Sequence, residues 1–423
     1  MLNIFKTIKR QIYVLESKLW FNPFAYCILA ILAIYICYLI QQLNINFYSE
    51  RISIDTVNAL LSIITKSMLA VIVFTVGAIV TAYNSASNSG TPRILAILFR
   101  DRASNKATSS FIGTFIYGVI ATIAIKSGVF DKTGVFLVFI LTIFVFVWVI
   151  FTFIVWIDSI AKLGQVRTLL TKTESQALTT VEKYIKNRYQ GCNKLIVDKM
   201  PKKSIPILAS DYGFLNDISF ENLNEFCKNL GAKIYIVKYK GEHLASSEVM
   251  AYIKCSRTLT EDELAKLSFC FIISNEKNFS EDPIFGIETL SEIAAKALSP
   301  ATNDPTTAIN VIDTINRCLN CLFDSNITNK QQIVYKNLYI KDISIDRFVR
   351  SGFEYIRIYG SSNLLVAKRI QKSLLHICKQ SNDENSKVIA SYMENCYKQA
   401  NSELKYTFEK MELQEFIKSL KSQ

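Results

Sequence analysis

Four separate apolar stretches, near residues 22–43, 58–82, 108–126 and 134–157, fall within the first 160 residues of this 423-residue chain, and the remainder contains none. Each is long enough to cross a hydrocarbon core of ~30 Å, which takes about 20 helical residues at 1.5 Å apiece. The pattern predicts an α-helical membrane domain of four transmembrane helices, followed by a cytoplasmic α+β domain with a mainly helical C-terminal part.

The stretches differ in character. The fourth, from Gly134 to Trp156, is bulky and aromatic on every side, as expected of a helix bathed in lipid. The second carries Gly77, Thr81, Asn84 and Asn88 at helical spacing, and the third carries Ser110, Thr114, Gly118 and Ala121. Small and hydroxyl residues so spaced predict faces turned inward, toward another helix or water. Lys66, the one ionisable residue well inside a span, extends the stripe of the second through Ala70. Snorkelling of its stem to the interface and a place on a permeation path are the two readings of that lysine.

Flanking charge sets orientation. Lys6, Lys9, Arg10 and Lys18, then Arg93, Arg100, Arg102 and Lys106, then Lys162, Arg167 and Lys172 lie on one side, against Arg51, Lys126 and Lys132 on the other. The positive-inside rule places both termini and the tail in the cytoplasm. The formal net charge of +12 is then read as attraction to anionic lipid rather than to nucleic acid, with Arg93, Arg100 and Arg102 at headgroup level for lipid or partner contact. Residues 1–21 place Phe5, Ile8, Ile12, Leu15 and Leu19 on one face, an interfacial amphipathic helix without a cleavage site. The ten cysteines lack metal or disulfide spacing and are expected reduced.

The tail divides into a connecting helix over 161–190 (its helical pattern runs from about 158), a small α/β module over 191–280 and a mainly helical region over 281–423. Strands are expected over 204–210 and 233–239, with a helix between them opened by Ser219 and closed by Gly231. Helices are expected near 286–298, 304–323, 344–359, 361–380 and 384–420. The run from Lys240 to Ile253 reads as a plain hairpin, although its glycine corner is similar to that of lipoyl-like barrels, in which Lys240 would be a modified lysine. Between the first two late helices stands the sharpest local motif, with Ser299, Pro300, Asn303, Asp304, Pro305 and Thr306. Pro300 cannot continue a helix, whereas Asp304 and Pro305 start one; the same oxygens could alternatively hold a cation or phosphate.

The segment Asp282-Pro-Ile-Phe-Gly-Ile-Glu through Asn303-Asp-Pro-Thr-Thr-Ala308 resembles the signature of the bacterial family known as domain of unknown function 2254, predicted membrane proteins. Thr91-Pro-Arg93, Phe99-Arg-Asp-Arg102, Phe111-Ile-Gly-Thr-Phe-Ile-Tyr117, Asp346-Arg-Phe348 and Ile356-Arg-Ile-Tyr-Gly360 agree. The resemblance implies a four-span protein of the bacterial inner membrane with a cytoplasmic domain, and supplies no activity. Where many members carry a histidine pair past the fourth span, this chain has Asp158-Ser159, and Ala301-Thr302 replaces the usual Gly-Ile.

With only His243 and His376, and no glycine-rich phosphate loop, neither a catalytic residue, a metal site nor a cofactor is expected. Two functions fit. One is a homo-oligomeric conduit for ions or small solutes, lined by the second and third spans and gated by the tail. The other is a membrane-anchored sensor or interaction module without transport.

Overall fold

The computed structural model describes residues 21–43, 52–94, 102–163, 165–201, 203–323 and 332–422. The expected interfacial helix and Arg100 lie outside them. The chain divides into an N-terminal unit ending at Thr168 and a C-terminal unit beginning at Leu169.

Four helices, α1 (Phe21–Gln42), α2 (Ile54–Ser89), α3 (Arg102–Lys126) and α4 (Lys132–Leu163), are long and apolar enough to cross a membrane. At 1.5 Å per residue the 36 residues of α2 reach ~54 Å, well beyond a ~30 Å core. Its start is fixed by Ser53, whose side chain accepts from the Thr56 amide. The Asp131 carboxylate likewise accepts from the Gly134 amide at the start of α4.

Helix α3 packs against all three others because its faces are small. A Cβ on Gly118 would stand 2.2 Å from the Thr65 hydroxyl of α2, so the close approach of the two backbones requires glycine there. Around it the interior is filled. Phe111, Phe153 and Trp156 form an edge-and-stack cluster, and the Tyr117 hydroxyl meets the Thr142 hydroxyl at 2.8 Å.

The C-terminal unit opens with α5 (Val166–Lys186), most of which belongs to it, so the expected continuous helix from 158 is in fact two. Two small sheets follow. One has the order β1 (Cys192–Lys194), β8 (Tyr335–Ile340), β4 (Lys233–Ile236), β6 (Val249–Lys254), β2 (Ile205–Leu208). β8 is parallel to both neighbours, and β6 is antiparallel to β4 and β2. The other sheet joins β5 (His243–Leu244), β3 (Gly213–Ile218) and β7 (Phe271–Ser274), all antiparallel. Between β3 and β4 runs α6 (Phe220–Leu230), ended by Gly231 in the left-handed region at φ 58°. A short α7 (Glu261–Ser268) carries a complete Thr260–Glu263 capping box.

Two readings change here. β5 and β6 lie in different sheets, so the run from Lys240 to Ile253 is a crossover between sheets and not a plain hairpin. Its hinge is Ser247, at φ 65°, whose amide bonds the Ala209 carbonyl next to β2. And β8, drawn from the late region, completes the sheet of the earlier module, burying Leu338 and Ile340 beside Ile234 and Ile236.

The helical layer consists of α8 (Phe285–Ala297), α9 (Pro305–Asn320), α10 (Ile345–Gly360), α11 (Leu364–Gln380), α12 (Asp383–Glu403) and α13 (Thr407–Ser422). α8 packs on α9 and α10, and α11 on α9, α12 and α13. The expected helix over 384–420 is broken at 404–406, where Leu404 turns extended and is buried.

Candidate functional site

Three separated parts of the C-terminal unit converge on one small open cleft of about 100 Å³. α5 supplies Lys183, Tyr184 and, just past its end, Arg188; the turn after β4 supplies Tyr239 and Lys240; Lys341 and Ile343 follow β8. Glu281 and Pro283, at the head of the signature segment, form the remaining wall.

Glu281 joins two of those parts. One carboxylate oxygen lies 2.5 Å from Lys183 Nζ and the other 3.4 Å from Lys240 Nζ. Lys240 also pairs with Asp217 of β3 at 2.6 Å and is nearly buried, which places it among structural ion pairs and leaves no projecting lysine for modification. On the other side Asp342 accepts from Arg188 Nε at 2.8 Å and from the Tyr184 hydroxyl at 2.5 Å. Burial, with the charge of Asp342 added, pushes the Tyr184 phenol up and keeps it protonated. Burial works against the charge on Arg188, yet the bond to Asp342 and the neighbouring tyrosines raise its pKa and hold it as a cation.

Next to Glu281 a second carboxylate is sealed in. Asp282 is 2% exposed, and its Oδ1 accepts from the Ile284 amide at 2.8 Å. Lys277 stands 3.6 Å from it and 2.7 Å from Glu288, with its ammonium over the rings of Phe214 and Phe285. Arg347 of α10 closes on Glu288 at 3.1 Å. Burial pushes the Asp282 carboxyl up to about 6, with Lys277 and the Ile284 amide opposing. Gly241, at φ 91°, is what makes room: a Cβ there would sit 2.1 Å from an Asp282 oxygen. The network therefore ties the turn after β4 to α8 and α10 through charges. None of these roles was assigned from sequence. The available signals were Asp282 and Glu288 inside an apolar signature, and the i, i+4 pair Tyr184 and Arg188.

The residues singled out from sequence fall into four places. Lys66, Gly77, Thr81, Asn84 and Asn88 share an exposed face of α2, and a Cβ on Gly77 would meet nothing within 4 Å. They do not pack on another span of the same protomer; the buried face of α2 is instead Val57, Leu61, Ile64, Met68 and Thr75. Thr114 and Gly118 are buried inside the four-helix unit. Arg93 is exposed in a short 3-10 turn after α2, and Arg102 is the first residue of α3.

The signature loop forms an exposed corner between α8 and α9. Asp304 caps α9, accepting from the Thr307 amide at 3.0 Å and the Thr307 hydroxyl at 2.5 Å, which hold its carboxyl below the usual range. Pro305 takes the first helical position, and Thr306 is exposed beside it. Asn303 turns left-handed at φ 47°, and Ser299 bonds back to the Lys296 carbonyl just before Pro300. The Asp304 carboxylate is thus engaged in capping. Among the described residues no group of three or more His, Cys, Asp or Glu is placed to hold a metal ion. His243 packs edge-on against Tyr212 and Phe214, and His376 bonds Asn320. Asp158, where the histidine pair of the family would begin, pairs with Lys162 at 2.7 Å on the surface of α4.

Residues 16–376 match the family described as predicted membrane protein (DUF2254). An uncharacterized protein of Mycobacterium tuberculosis (strain CDC 1551 / Oshkosh) is 24% identical over 197 residues, covering 44% of this chain and 37% of the relative. An uncharacterized protein of Mycobacterium bovis (strain ATCC BAA-935 / AF2122/97) is 23% identical over the same shares. The match thus spans little more than a third of these curated relatives, 37% of their length. No solved structure matches. The extent of the family match settles membership: the chain belongs to the DUF2254 family of predicted membrane proteins.

Proposed function

Starting from membership of the DUF2254 family, we propose that this is a multi-pass protein of the bacterial cytoplasmic membrane whose four spans anchor a cytoplasmic ligand-binding unit, and that it acts by binding, not catalysis. The observation that carries the reading is the cleft between α5, the turn after β4 and the segment after β8, an open concavity edged by charged groups from three parts of the chain. The four-helix interior, filled by Phe111, Tyr117 and Trp156, supports an anchoring role for the spans. The basic residues before the first span and after the second and fourth support cytoplasmic termini and contact with anionic lipid, with no part for nucleic acid.

The test is reconstitution of the full chain in liposomes. Impermeability to ions and small osmolytes, together with saturable ligand binding at the cleft, is the expected result; ion flux above that of empty liposomes sinks the reading.

A second reading, a homo-oligomeric conduit gated by the C-terminal unit, is favoured by one feature. Lys66, Thr81, Asn84 and Asn88 lie on an outer face of α2 that the protomer leaves uncovered. Polar side chains facing lipid are costly, and a second copy would shield them or line a pathway with them. A monomeric mass in nanodiscs would remove this reading.

A further inference from the structure

We infer that the cleft is a site for a phosphate monoester, and that Glu281 occupies the position of the phosphoryl group until the ligand displaces it. The inference rests on the ligand-binding reading above. Its starting point is the bridging carboxylate: Glu281 offers one oxygen to Lys183 at 2.5 Å and the other to Lys240 at 3.4 Å, two cations delivered by distant parts of the chain. A phosphoryl group presents its oxygens in the same way, with greater charge. Glu281 is partly exposed, and Lys183 is more than half exposed, so the carboxylate has solvent to swing into.

Charge counting points to a dianion, and the bridging geometry of Glu281 to its phosphoryl form. Lys183, Arg188, Lys240 and Lys341 line the cleft, and their surroundings hold three carboxylates, Glu281, Asp342 and Asp217. Four cations less three anions leave an excess of one; with Glu281 swung out the excess is two, the charge of a phosphate monoester dianion. A monocarboxylate would leave one of these cations uncompensated. Asp342 and Asp217 remain in place because each orients the cation it holds, Arg188 at 2.8 Å and Lys240 at 2.6 Å. Lys341 is exposed and has no ion pair among the described residues, which makes it available to an incoming anion. Behind the cations, Pro283, Ile340 and Ile343 provide an apolar wall for the organic part of the ester.

The phosphate can arrive on a soluble metabolite or on a lipid headgroup, and two arms separate these sources. In the first, the full chain in phosphatidylcholine nanodiscs is titrated calorimetrically with glycerol 3-phosphate and with inorganic phosphate. In the second, its melting temperature is compared in nanodiscs with and without phosphatidic acid. Saturable binding in the first arm identifies a soluble ester; a rise of melting temperature confined to the second identifies the lipid, and either supports the inference. Glu281→Gln is expected to tighten binding about tenfold by removing the competing carboxylate, a sign that a purely structural ion pair would not give. Lys341→Gln, at an exposed position outside the ion pairs, is expected to weaken it about tenfold without altering the fold. No response in either arm, or a response unchanged by Lys341→Gln and not strengthened by Glu281→Gln, overturns the inference. Impermeant liposomes with no phosphate response sink this inference alone, whereas ion flux sinks the binding reading whatever the titration gives.

Discussion

The two units satisfy their polar groups in opposite ways. In the four-helix unit the hydroxyls of Thr65, Thr75, Thr122 and Thr142 each donate to the carbonyl four residues back, at 2.6–2.7 Å. The Tyr117–Thr142 and Trp148–Ser110 bonds cross between helices there. In the C-terminal unit, charges join residues far apart in sequence: Arg188 to Asp342, Lys183 to Glu281, Arg317 to Glu174 and Arg347 to Glu288. A helix meant for an apolar medium must close its hydrogen bonds within itself, whereas water lets ion pairs act as long-range ties. What holds the first unit together is therefore close packing, and what positions the cleft of the second is charge.

The largest effect is expected where that charge network is most confined. Gly241→Ala would place a methyl against the Asp282 carboxylate at a backbone φ of 91°. Overpacking and the left-handed penalty together should cost about 3–4 kcal/mol. Hydrogen exchange of the full chain should report it as loss of protection in α8 and the turn after β4. Unchanged protection would mean that the close approach of Gly241 to Asp282 does not hold this region.

Asp282 itself gives a sharper test through pH. Its folded pKa, about 6, lies above the ordinary 3.8, so the native state holds its proton more tightly than the unfolded chain does. Stability from this group is full below about pH 4 and is lost as pH rises through 6, by about 3 kcal/mol. Glu263 runs the other way, since its lowered pKa of about 2 makes its contribution disappear only in stronger acid. Melting temperatures between pH 4.5 and 7 should fall for the native chain relative to Asp282→Asn. Parallel curves for the two proteins would rule out a buried, titrating Asp282.

For the other side of the comparison, Gly118 and Gly77 form a matched pair. Gly118→Val drives a side chain into Thr65 and should destabilise the α2–α3 contact by about 2 kcal/mol. Gly77→Val projects into open space and should leave protomer stability within about 0.5 kcal/mol. Thermal unfolding in nanodiscs measures both. A large loss at Gly77 accompanied by a lower oligomeric mass would transfer support to the conduit.

This pair also marks how far the sequence could be read. Periodicity shows that both α2 and α3 carry a small, polar stripe, but it carries no information about which neighbour each stripe meets, and the structure buries one and exposes the other. The four long apolar helices were legible because length and apolarity are local properties, as were the caps at Asp304 and Gly231. β8 was not, since Tyr335–Ile340 carries Lys336 and Asn337 and finds its place only by pairing with strands that begin 102 and 143 residues earlier, at Lys233 and Cys192. The cleft was hidden for the same reason. Lys183, Lys240, Glu281 and Lys341 are ordinary surface charges until the topology gathers them, and only the acidic residues in the signature hinted that something charged lay within.

The smallest expected effects come from a kind of tie that both units contain, a polar side-chain pair between two helices. In the first unit Trp148 Nε1 donates to the Ser110 hydroxyl at 3.1 Å, and in the second Arg317 donates twice to Glu174, from Nε at 2.5 Å and Nη2 at 3.0 Å. Trp148→Phe keeps most of the aromatic area and removes the bond, which between membrane helices is worth about 0.6 kcal/mol. Arg317→Gln removes a half-exposed ion pair worth about 0.5 kcal/mol, and high salt should abolish the difference between it and the native chain. Salt should leave Trp148→Phe unaffected. If the tryptophan variant proved the more damaging by several kcal/mol, specific bonds and not packing would hold the four helices, and the contrast between the units would fail at that point.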